Sequence, residues 1–448
     1  MEKEVINNPL PKVLVVDVNA WREDAPSNTL MEVFRCWDPE KLALVYTSSA
    51  SPATRVCSRF FQISERQVLR SVFQPWTSVG REVFNQKEEG VRANQDEAVE
   101  GKLRSFSHRH FSTLMRLARE MVWKLGHWKS RALRDFIADF HPDVIFVPIF
   151  PYAYMGRIQK YILRHSRVPY VAYLADDNYS YDACRSLGEY VHRFWVRNYV
   201  GPLARNCNEM FVIVDKEKED TDARFGTDSV ILTKGIDFEN RIFTPTALNN
   251  PIRFVYTGSL LIGRERSLAL VAEAINRLNR ERGKVVAELK IYSQNQPSSS
   301  MEKKLNESQS RLCGTVSHQE IETILKYADV VIFVESLFGK SARIAKLSFS
   351  TKITDYLSSG KCILAIGSED IAPIAYFRKY QSALIATNPE EVYERVKEIV
   401  DNPGLIEELG RRAFDCASSH HERNRMNRRL MTTIIRAAKR RDIINTDL

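Results

Sequence analysis

Short apolar runs alternate along the chain with longer stretches in which apolar residues recur every three or four positions. The first pattern predicts buried strands, and the second predicts amphipathic helices that cover a sheet. The predicted strands are 13–18, 42–46, 144–150, 170–174 and 210–214 in the first half and 253–258, 287–293, 330–334, 362–367 and 382–386 in the second. Strands that alternate with helices in this way indicate an α/β fold built on parallel sheets.

The chain of 448 residues is too long for one typical hydrophobic core, so more than one domain is expected. Turn-forming residues at 249–251 separate the two alternating halves. The pattern predicts two Rossmann-like, doubly wound domains that face each other across a cleft: an N-terminal domain over 1–245 and a C-terminal domain over 246–417. A last helix, at about 418–448, is expected to pack back on the N-terminal domain. Ligands of open α/β sheets bind outside the carboxyl ends of the strands.

The composition is that of an ordinary globular protein, with 44% hydrophobic and 27% charged residues. Uninterrupted apolar runs fall short of the roughly 18 residues of a membrane-spanning helix, so none is predicted. The first residues lack an apolar signal core, so a cytoplasmic protein is expected. Seven cysteines without a CxxC pair favour free thiols over disulfides or a zinc site.

The stretch FSTKITDYLSSGKCILAIG (349–367) has the pattern of an anion-binding helix start. Ser350 or Thr351 can cap a helix that begins at Thr351 or Lys352. The free N–H groups of a helix start favour an anion, and Lys352 adds a full positive charge, which suits a diphosphate. Asp355 lies on the same face, where its oxygens can accept hydrogen bonds from two ribose hydroxyls. A surface ion pair between Lys352 and Asp355 is the alternative interpretation.

A second stretch, YTGSLLIGRERSL (256–268), reads as a strand, a turn and the start of a helix. Gly258 would let a ligand approach the backbone closely. Arg264 and Arg266 open the helix, and Arg264 can bind a phosphate through two hydrogen bonds.

Together with TKGIDFENRIFTP (233–245), these stretches resemble the GT-B glycosyltransferases, specifically the retaining enzymes of family 4. Those enzymes have an "nGvD…F.P" segment between the domains, a glycine turn followed by basic residues, and a later helix with the pattern "K-x-x-E-Y-L-x-x-G-K-P". The resemblance covers about 205–415. The positions that match are Gly235, Asp237, Gly258, Arg264, Lys352, Asp355, Tyr356, Leu357, Gly360 and Lys361.

The chain departs from the family pattern at two places that concern the donor. Ser259 replaces the first basic residue, so Arg264, with Arg266, would hold the diphosphate. Asp355 replaces the second glutamate of the family's Glu-x7-Glu pair, and Leu347 stands at the first position.

The resemblance also implies where the sugar and the base of the donor bind. The loop 334–350 would face the donor sugar, and it differs from the family pattern. Its candidate contacts are Glu335, Lys340, Ser341 and Lys346. The segment CGTVSH resembles a strand end whose backbone reads the base, which makes Gly314 and Val316 candidates.

In the N-terminal half, VPYVAYLADDNYSYD (168–182) ends a strand with two acids. The family often has His-Asp here, and Ala175 stands at the histidine position. Asp176 or Asp177 is therefore a candidate catalytic group that orients an acceptor hydroxyl or stabilises positive charge at the anomeric carbon. A metal-binding pair and an aspartate that caps the loop are the alternatives. The cationic clamps make a metal unnecessary, so no metal or other cofactor is expected.

The first loop after a strand, VNAWREDAPSNT (18–29), lacks the glycines that many relatives have. Its polar residues Asn19, Ser27 and Asn28 are candidates for the acceptor side.

The segment 102–134 holds nine lysines and arginines and one glutamate, interleaved with aromatic residues that include Trp123 and Trp128. A basic amphipathic helix of this kind can lie in an anionic membrane interface. An equally favoured interpretation is a helix that covers the sheet with its apolar side. Peripheral attachment to the inner face of the plasma membrane is therefore one of two expectations.

These features predict a glycosyltransferase that moves a sugar from a nucleotide-sugar to a glycan or lipid-linked acceptor. The resemblance implies retention and a place in surface polysaccharide or glycoconjugate synthesis. A non-hydrolysing sugar-nucleotide epimerase of the same fold is one alternative, although the candidate stretches offer few acids and histidines. A basic nucleic-acid-binding protein is another, but the aromatic residues follow helical spacing and do not form a strand platform, so no nucleic acid is expected as a partner.

Overall fold

The structure, a computed structural model, describes residues 10–23, 29–85, 113–182, 184 and 186–440. The first half of the described chain contains, in order, β1 (Val13–Val16), α1 (Thr29–Phe34), β2 (Leu42–Tyr46), β3 (Arg59–Gln62), α2 (Glu65–Phe73), β4 (Arg81–Val83), α3 (Thr113–Leu125), α4 (Arg131–Phe140), β5 (Val144–Pro148), α5 (Ala153–Ser166), β6 (Tyr170–Leu174), α6 (Leu187–Arg205), β7 (Glu209–Val212), α7 (Asp215–Phe225) and β8 (Val230–Ile231).

The second half repeats this alternation. It contains β9 (Ile252–Thr257), α8 (Arg264–Arg282), β10 (Ala287–Tyr292), α9 (Ser299–Leu305), β11 (Ser310–Gly314), α10 (His318–Lys326), β12 (Val330–Val334), α11 (Thr351–Ser358), β13 (Cys362–Ile366), α12 (Ala372–Tyr380), β14 (Leu384–Ala386), α13 (Pro389–Asp401), α14 (Pro403–His420) and α15 (Arg423–Lys439).

The strands of the described residues form two sheets. The first has eight strands in the order β4-β3-β2-β1-β5-β6-β7-β8, and within it β4 runs antiparallel to β3. The second has six parallel strands in the order β11-β10-β9-β12-β13-β14. The predicted α/β class with two doubly wound parallel sheets is therefore confirmed.

The apolar-run pattern found the central strands and passed over β3, β4, β8 and β11. The central strands β1, β2, β5, β6, β12 and β13 are buried at every residue. In contrast, β4 has no buried residue and β11 has one in five, because each lies at an edge of its sheet. A strand that is half exposed carries no continuous apolar run.

The described residues divide into two compact units. The first comprises the chain up to residue 212, 218–232 and the residues from 427 onward, and the second comprises 213–217 and 233–426. The chain thus passes into the second unit at 233, earlier than the boundary at 245 that was drawn from the sequence. Ile236 forms a parallel bridge with Glu422, and its N–H donates to His421 O at 2.7 Å. This bridge ties the segment after 233 to the second unit.

The end of α15 packs within the first unit. Its Arg436 binds the buried Glu209 of β7 through Nε and Nη2, with a distance of 2.7 Å for Nε. Arg429 donates to Ile231 O at 3.0 Å, and Leu430 and Ile434 are fully buried. The last helix therefore covers the β7–β8 edge of the first sheet.

The described part of the basic segment 102–134 forms α3 and the start of α4, and its first residues, 102–112, lie outside the described residues. Trp123 is fully buried, and its ring stacks on Tyr154 with centroids 4.7 Å apart. Trp128 is 3% exposed and donates from Nε1 to Trp123 O at 2.9 Å. The two tryptophans belong to the core of the first unit, so the side of the segment that carries them does not face a membrane interface.

Among the helices of the described residues, none is both long enough and apolar enough to span a membrane.

Candidate functional site

Four element ends meet at the carboxyl edge of the six-stranded sheet. The strands β9 and β12 are neighbours, and they end at Thr257 and Val334. The helix α8 begins at Arg264, and α11 begins at Thr351. The contacts described below hold these ends together, at the edge where parallel sheets bind their ligands.

Lys352 lies at the start of α11 and reaches the end of β9. Ser350 is the N-cap of the helix, and its hydroxyl accepts a hydrogen bond from Lys352 N at 3.4 Å. The Nζ atom of Lys352 donates to Thr257 O at 3.2 Å, and the buried Tyr356 hydroxyl donates to the same oxygen at 3.1 Å. The ammonium group is therefore fixed against the backbone at the turn after β9.

Gly258 leaves the space that this lysine needs. A Cβ atom at this position would lie 2.9 Å from Lys352 Nζ and 2.7 Å from the hydroxyl of Tyr256. That hydroxyl donates to Ser259 O at 2.6 Å, which fixes the turn. The glycine thus permits a close approach, but the group that approaches it in the structure is a lysine side chain.

Arg264 and Glu335 form an ion pair with two hydrogen bonds. The Nε atom of Arg264 donates to Oε2 at 2.9 Å, and Nη2 donates to Oε1 at 2.7 Å. Glu335 is 7% exposed. Burial alone would lower the pKa of Arg264, but the hydrogen bonds and charge of Glu335 outweigh it and raise that pKa. The arginine that the sequence assigned to a phosphate therefore has a carboxylate on one side of its guanidinium.

The ammonium group of Lys352 has a lowered pKa. Its desolvation is the largest cause, and the positive charge of Arg264 is the next. The carboxylates of Asp355 and Glu335 act in the opposite direction and do not offset these two effects. The positive charge of Arg264 thus disfavours the charged form of Lys352, and a bound anion relieves this repulsion.

Asp355 pairs with a lysine that sequence reasoning missed. Lys234 Nζ donates to Asp355 Oδ1 at 2.6 Å, and both side chains are half-buried. The sequence suggested, as an alternative, an ion pair between Lys352 and Asp355. In the structure Asp355 instead pairs with Lys234, which lies 121 residues away in sequence. The only signal for Lys234 was its position beside Gly235 in the 233–245 segment.

Arg266 and Ser259 contact other protein groups. The guanidinium of Arg266, which is exposed, lies 4.7 Å from the centre of the Phe338 ring. The hydroxyl of Ser259 donates to Asn295 Oδ1 at 2.8 Å, and Leu260 N donates to the same oxygen at 3.2 Å. Asn295 therefore holds the turn after β9 and was not singled out from the sequence.

Gly314 is the last residue of β11, and Val316 lies in the turn between β11 and α10. Gly314 has a φ of +78°, which favours glycine, and its carbonyl accepts a hydrogen bond from Ser293 N at 2.9 Å. Val316 is half-buried, and Ser317 and Glu320 form a capping box at the start of α10. The turn is built by local backbone chemistry, and space remains beside Gly314.

The loop after β12 is anchored on α8. Leu337 N donates to Ser267 Oγ at 3.0 Å. Gly263, with a φ of +80°, caps the start of α8, and a Cβ there would lie 2.7 Å from Ser336 Oγ. Of the other loop candidates, Ser341 is half-buried and Lys346 O accepts a hydrogen bond from Ala372 N at 2.9 Å.

The paired acids of the first unit have different surroundings. Asp177 accepts hydrogen bonds from Ser180 N at 2.8 Å, from Tyr179 N at 3.2 Å and from the Ser180 hydroxyl. These contacts are those of an aspartate that caps its own loop. Asp176 is exposed at the end of β6. Within the described ranges, no group of three or more His, Cys, Asp and Glu side chains is placed to hold a metal ion.

The acceptor-side candidates lie only partly within the structure. Asn19 is exposed, and its N–H donates to Asp17 Oδ1 at 3.3 Å. Ser27 and Asn28 lie outside the described residues. Asp17, which is 2% exposed and also accepts a hydrogen bond from Trp21 Nε1 at 3.0 Å, was not singled out from the sequence.

Lys361, the second lysine of the family motif, lies elsewhere. It precedes β13, and the carboxyl end of that strand is at Ile366. Its Nζ donates to Thr246 Oγ1 at 3.0 Å, and the residue is 8% exposed. It is therefore at the opposite edge of the sheet from Lys352 and has a structural contact.

Solved structures share this architecture over nearly the whole chain. HepE of Anabaena, solved in complex with UDP, has a TM-score of 0.59 and 10% sequence identity, with 95% of this chain and 99% of HepE covered. TarM has a TM-score of 0.58 and 8% identity, with 94% and 98% covered. Sucrose-phosphate synthase of Thermosynechococcus elongatus has a TM-score of 0.57 and 10% identity, with 94% and 97% covered.

No protein-family model and no curated protein sequence matches the chain. Likeness at about 10% identity shows the fold, and membership of family 4 stays a prediction. The chain has the fold of the GT-B glycosyltransferases.

Proposed function

We propose that the protein is a glycosyltransferase that binds the diphosphate of a nucleotide-sugar at the carboxyl edge of the six-stranded sheet. The observation that carries this proposal is the pair of cationic groups there, Lys352 on the turn at Gly258 and Arg264 at the start of α8. The GT-B fold supports the same function. Because HepE was solved with UDP, a uridine diphosphate donor is the first candidate.

Each part of the donor has a candidate partner in the second unit. The diphosphate accepts hydrogen bonds from Lys352 Nζ and from the side of Arg264 that does not face Glu335. Asp355 keeps Oδ2 for a ribose hydroxyl while Oδ1 accepts from Lys234. The backbone at Gly314 and Val316 is the candidate contact of the base.

The proposed reaction proceeds with retention at the anomeric carbon, and the leaving diphosphate takes the proton of the acceptor hydroxyl. The acceptor is a glycan or a lipid-linked sugar, as in the synthesis of surface polysaccharides or glycoconjugates. Asp176, exposed at the end of β6, is the candidate group that orients the acceptor hydroxyl. The oxygens of Asp177 bind the backbone and hydroxyl of its own loop. No metal is required in this scheme, since cationic side chains and a helix start neutralise the diphosphate.

Thermal unfolding with a panel of nucleotide-sugars tests the proposal. UDP and one UDP-sugar are expected to raise the midpoint with a dependence on concentration, because a ligand that binds only the folded state stabilises it. The increase is expected to persist in excess EDTA. Loss of the increase in EDTA, with recovery on addition of manganese, would show that the site needs a metal.

Transfer must then be distinguished from epimerisation, the reaction of the alternative enzyme class. The stabilising nucleotide-sugar is incubated with and without acceptor extracts, and its sugar is analysed by chromatography. A transferase is expected to release the nucleoside diphosphate only when an acceptor is present. A changed sugar that is still joined to the nucleotide would contradict the proposal.

The ribose contact gives a separate prediction. Asp355→Asn is expected to lower the affinity for UDP several-fold and the affinity for 2′-deoxy-UDP by less. A neutral amide accepts a weaker hydrogen bond from a hydroxyl than a carboxylate does, and the deoxy nucleotide lacks one of the hydroxyls. Calorimetric titration of both nucleotides measures the difference. Lys234→Gln removes the ion pair and keeps the carboxylate, so it is the matched control and should preserve the preference for ribose. Equal losses for both nucleotides in Asp355→Asn would show that Asp355 has a structural role.

A peripheral membrane contact, if the acceptor is lipid-linked, involves a surface of the first unit. On α6 the residues Leu187, Tyr190, Val191 and Phe194 are exposed, at helical spacing. Their neighbour His192 lies 3.8 Å from Glu120 of α3. The exposed residues of α3 include Met115, Arg116, Met121, Lys124 and Leu125. Apolar side chains beside basic ones fit an anionic lipid surface.

Sedimentation with vesicles that contain anionic lipid tests this contact. The protein is expected to bind and to dissociate as salt rises, because the attraction to headgroups is screened. Leu187→Gln combined with Phe194→Gln should reduce binding several-fold. The control is Ile242→Gln, since Ile242 in the second unit is exposed to the same extent as Leu187, 82%. Failure of the native protein to bind vesicles would favour a soluble acceptor.

A further inference from the structure

The ion pair between Arg264 and Glu335 is asymmetric in its use of the guanidinium. The carboxylate accepts from Nε and Nη2, at 2.9 Å and 2.7 Å, along one side of the group. A guanidinium has five N–H donors in a fixed plane, and this pair uses two of them. The orientation of the remaining donors is therefore set by the position of the carboxylate.

Glu335 is itself held in place. Its backbone N–H donates to Ile366 O at 2.8 Å, which fixes the residue at the ends of β12 and β13. Its side chain is enclosed, and even a Cβ on the neighbouring Gly367 would lie 3.4 Å from Glu335 Cβ. A carboxylate on two strand ends is a rigid support.

Arg264 is held from the other direction. It is the first residue of α8, directly after Gly263, whose φ of +80° and contact with Ser336 leave no room for a side chain. Ser267, one turn further along α8, accepts a hydrogen bond from Leu337 N at 3.0 Å. The start of the helix and the loop that carries Glu335 are thus fixed to each other around the ion pair.

We infer that Glu335 is a positioning residue for the donor: it orients the guanidinium of Arg264 so that the donors on its outer side face the diphosphate, beside Lys352. The inference rests on the proposed function, because it concerns the same diphosphate. It replaces the expectation that Glu335 contacts the donor sugar directly. A fixed guanidinium also loses less conformational freedom when it binds a phosphate than a mobile one does.

In the opposite role, Glu335 competes with the diphosphate for Arg264, and the donor displaces the carboxylate when it binds. The geometry opposes this role. A displaced Glu335 would be a carboxylate without its partner at a position that is 7% exposed, and such a group is strongly unfavourable. The pair also lies along the Nε side, so a phosphate can bind on the Nη1 side without displacing it. The two roles predict opposite effects of the same substitution.

The experiment is calorimetric titration of UDP and of uridine into the full-length protein and its variants. Glu335→Gln is expected to lower the affinity for UDP about fivefold to tenfold and to change the affinity for uridine less than twofold, because only the diphosphate binds Arg264. Arg264→Lys keeps the charge but loses the two-point pair, and a similar loss of UDP affinity is expected. Glu369→Gln is the control, since Glu369 pairs with Arg378 at 2.8 Å on the surface of the same unit, and it should bind UDP as the native protein does.

A double-mutant cycle separates positioning from direct contact. In an Arg264→Ala background, Glu335→Gln is expected to cause no further loss of UDP affinity. A further loss there would mean that Glu335 touches the donor, and tighter UDP binding by Glu335→Gln alone would mean that it competes. Either result overturns the inference. If Glu335→Gln does not fold, Arg264→Lys provides the test, and native-like UDP binding by that variant overturns the inference. Failure of the native protein to bind any nucleoside diphosphate would overturn the proposed function itself, before any variant is compared.

Discussion

Replacement of Lys352 by alanine is expected to raise the dissociation constant of UDP by about tenfold or more. A hydrogen bond to a charged group contributes roughly 1.5–3 kcal/mol, and each 1.4 kcal/mol is tenfold in affinity. Lys352 Nζ already lies at the turn after β9, 3.2 Å from Thr257 O, so the native side chain needs little rearrangement to meet a phosphate there. Calorimetry at constant ionic strength measures the change.

Arg266→Ala is the matched control for this loss. Arg266 is also a cation near the start of α8, but it is exposed and stacks on Phe338. Its removal is expected to change UDP affinity less than about twofold, because an exposed charge is screened by solvent. If Arg266→Ala lowers UDP affinity as much as Lys352→Ala does, the diphosphate lies further along α8 than proposed.

The lowered pKa of Lys352 adds a dependence on pH. A lysine is charged below its pKa, and desolvation and the charge of Arg264 place this pKa below the ordinary 10.5. UDP affinity is therefore expected to begin to fall, as pH rises, at a lower pH than it would with an exposed lysine. In the alkaline range where this fall occurs, binding should be accompanied by proton uptake. Titrations in two buffers of different ionisation enthalpy measure the uptake. Lys352→Arg, which stays charged, should remove the pH dependence.

The local geometry of the site could be predicted from sequence, and its pairings could not. Ser350 before an apolar-periodic stretch predicts a helix start, and the structure begins α11 at Thr351. The partners of Arg264 and Asp355 lie 71 and 121 residues away. No local sequence pattern indicates partners so far apart along the chain, because the order of the strands in the sheet decides which residues come together.

The same distinction explains the fold. The runs at 330–334 and 42–46 match β12 and β2 residue for residue, because both strands are covered on both faces and are apolar throughout. The short β8 has no fully buried residue, so its sequence carries no run of this kind. The bridge between Ile236 and Glu422 ties 233–245 to the second unit, and such a long-range pairing has no local sequence pattern.

The basic segment 102–134 was ambiguous for a physical reason. Its pattern of aromatic and cationic residues suits both a membrane interface and a helix on a sheet. In α3, Glu120 is 2% exposed and accepts a hydrogen bond from Ala153 N at 2.8 Å. Arg119 binds Glu65 through two hydrogen bonds and lies over the ring of Tyr154. These tertiary contacts pack the inner side of α3 against α2 and α5, and only its outer side remains available to a lipid surface.

The burial of α3 leads to the largest expected effect on stability. Trp123→Ala is expected to lower the free energy of unfolding of the first unit by about 3–5 kcal/mol, the usual cost of removing a large aromatic side chain from a core. Trp123 is fully buried and stacked on Tyr154, whereas Trp76 is 82% exposed. Trp76→Ala is therefore the matched control, with an expected change within about 0.5 kcal/mol. Denaturant unfolding followed by circular dichroism measures both. If Trp123→Ala leaves the unfolding curve unchanged and instead abolishes binding to anionic vesicles, Trp123 lies at a membrane interface and the packing of α3 described above is wrong.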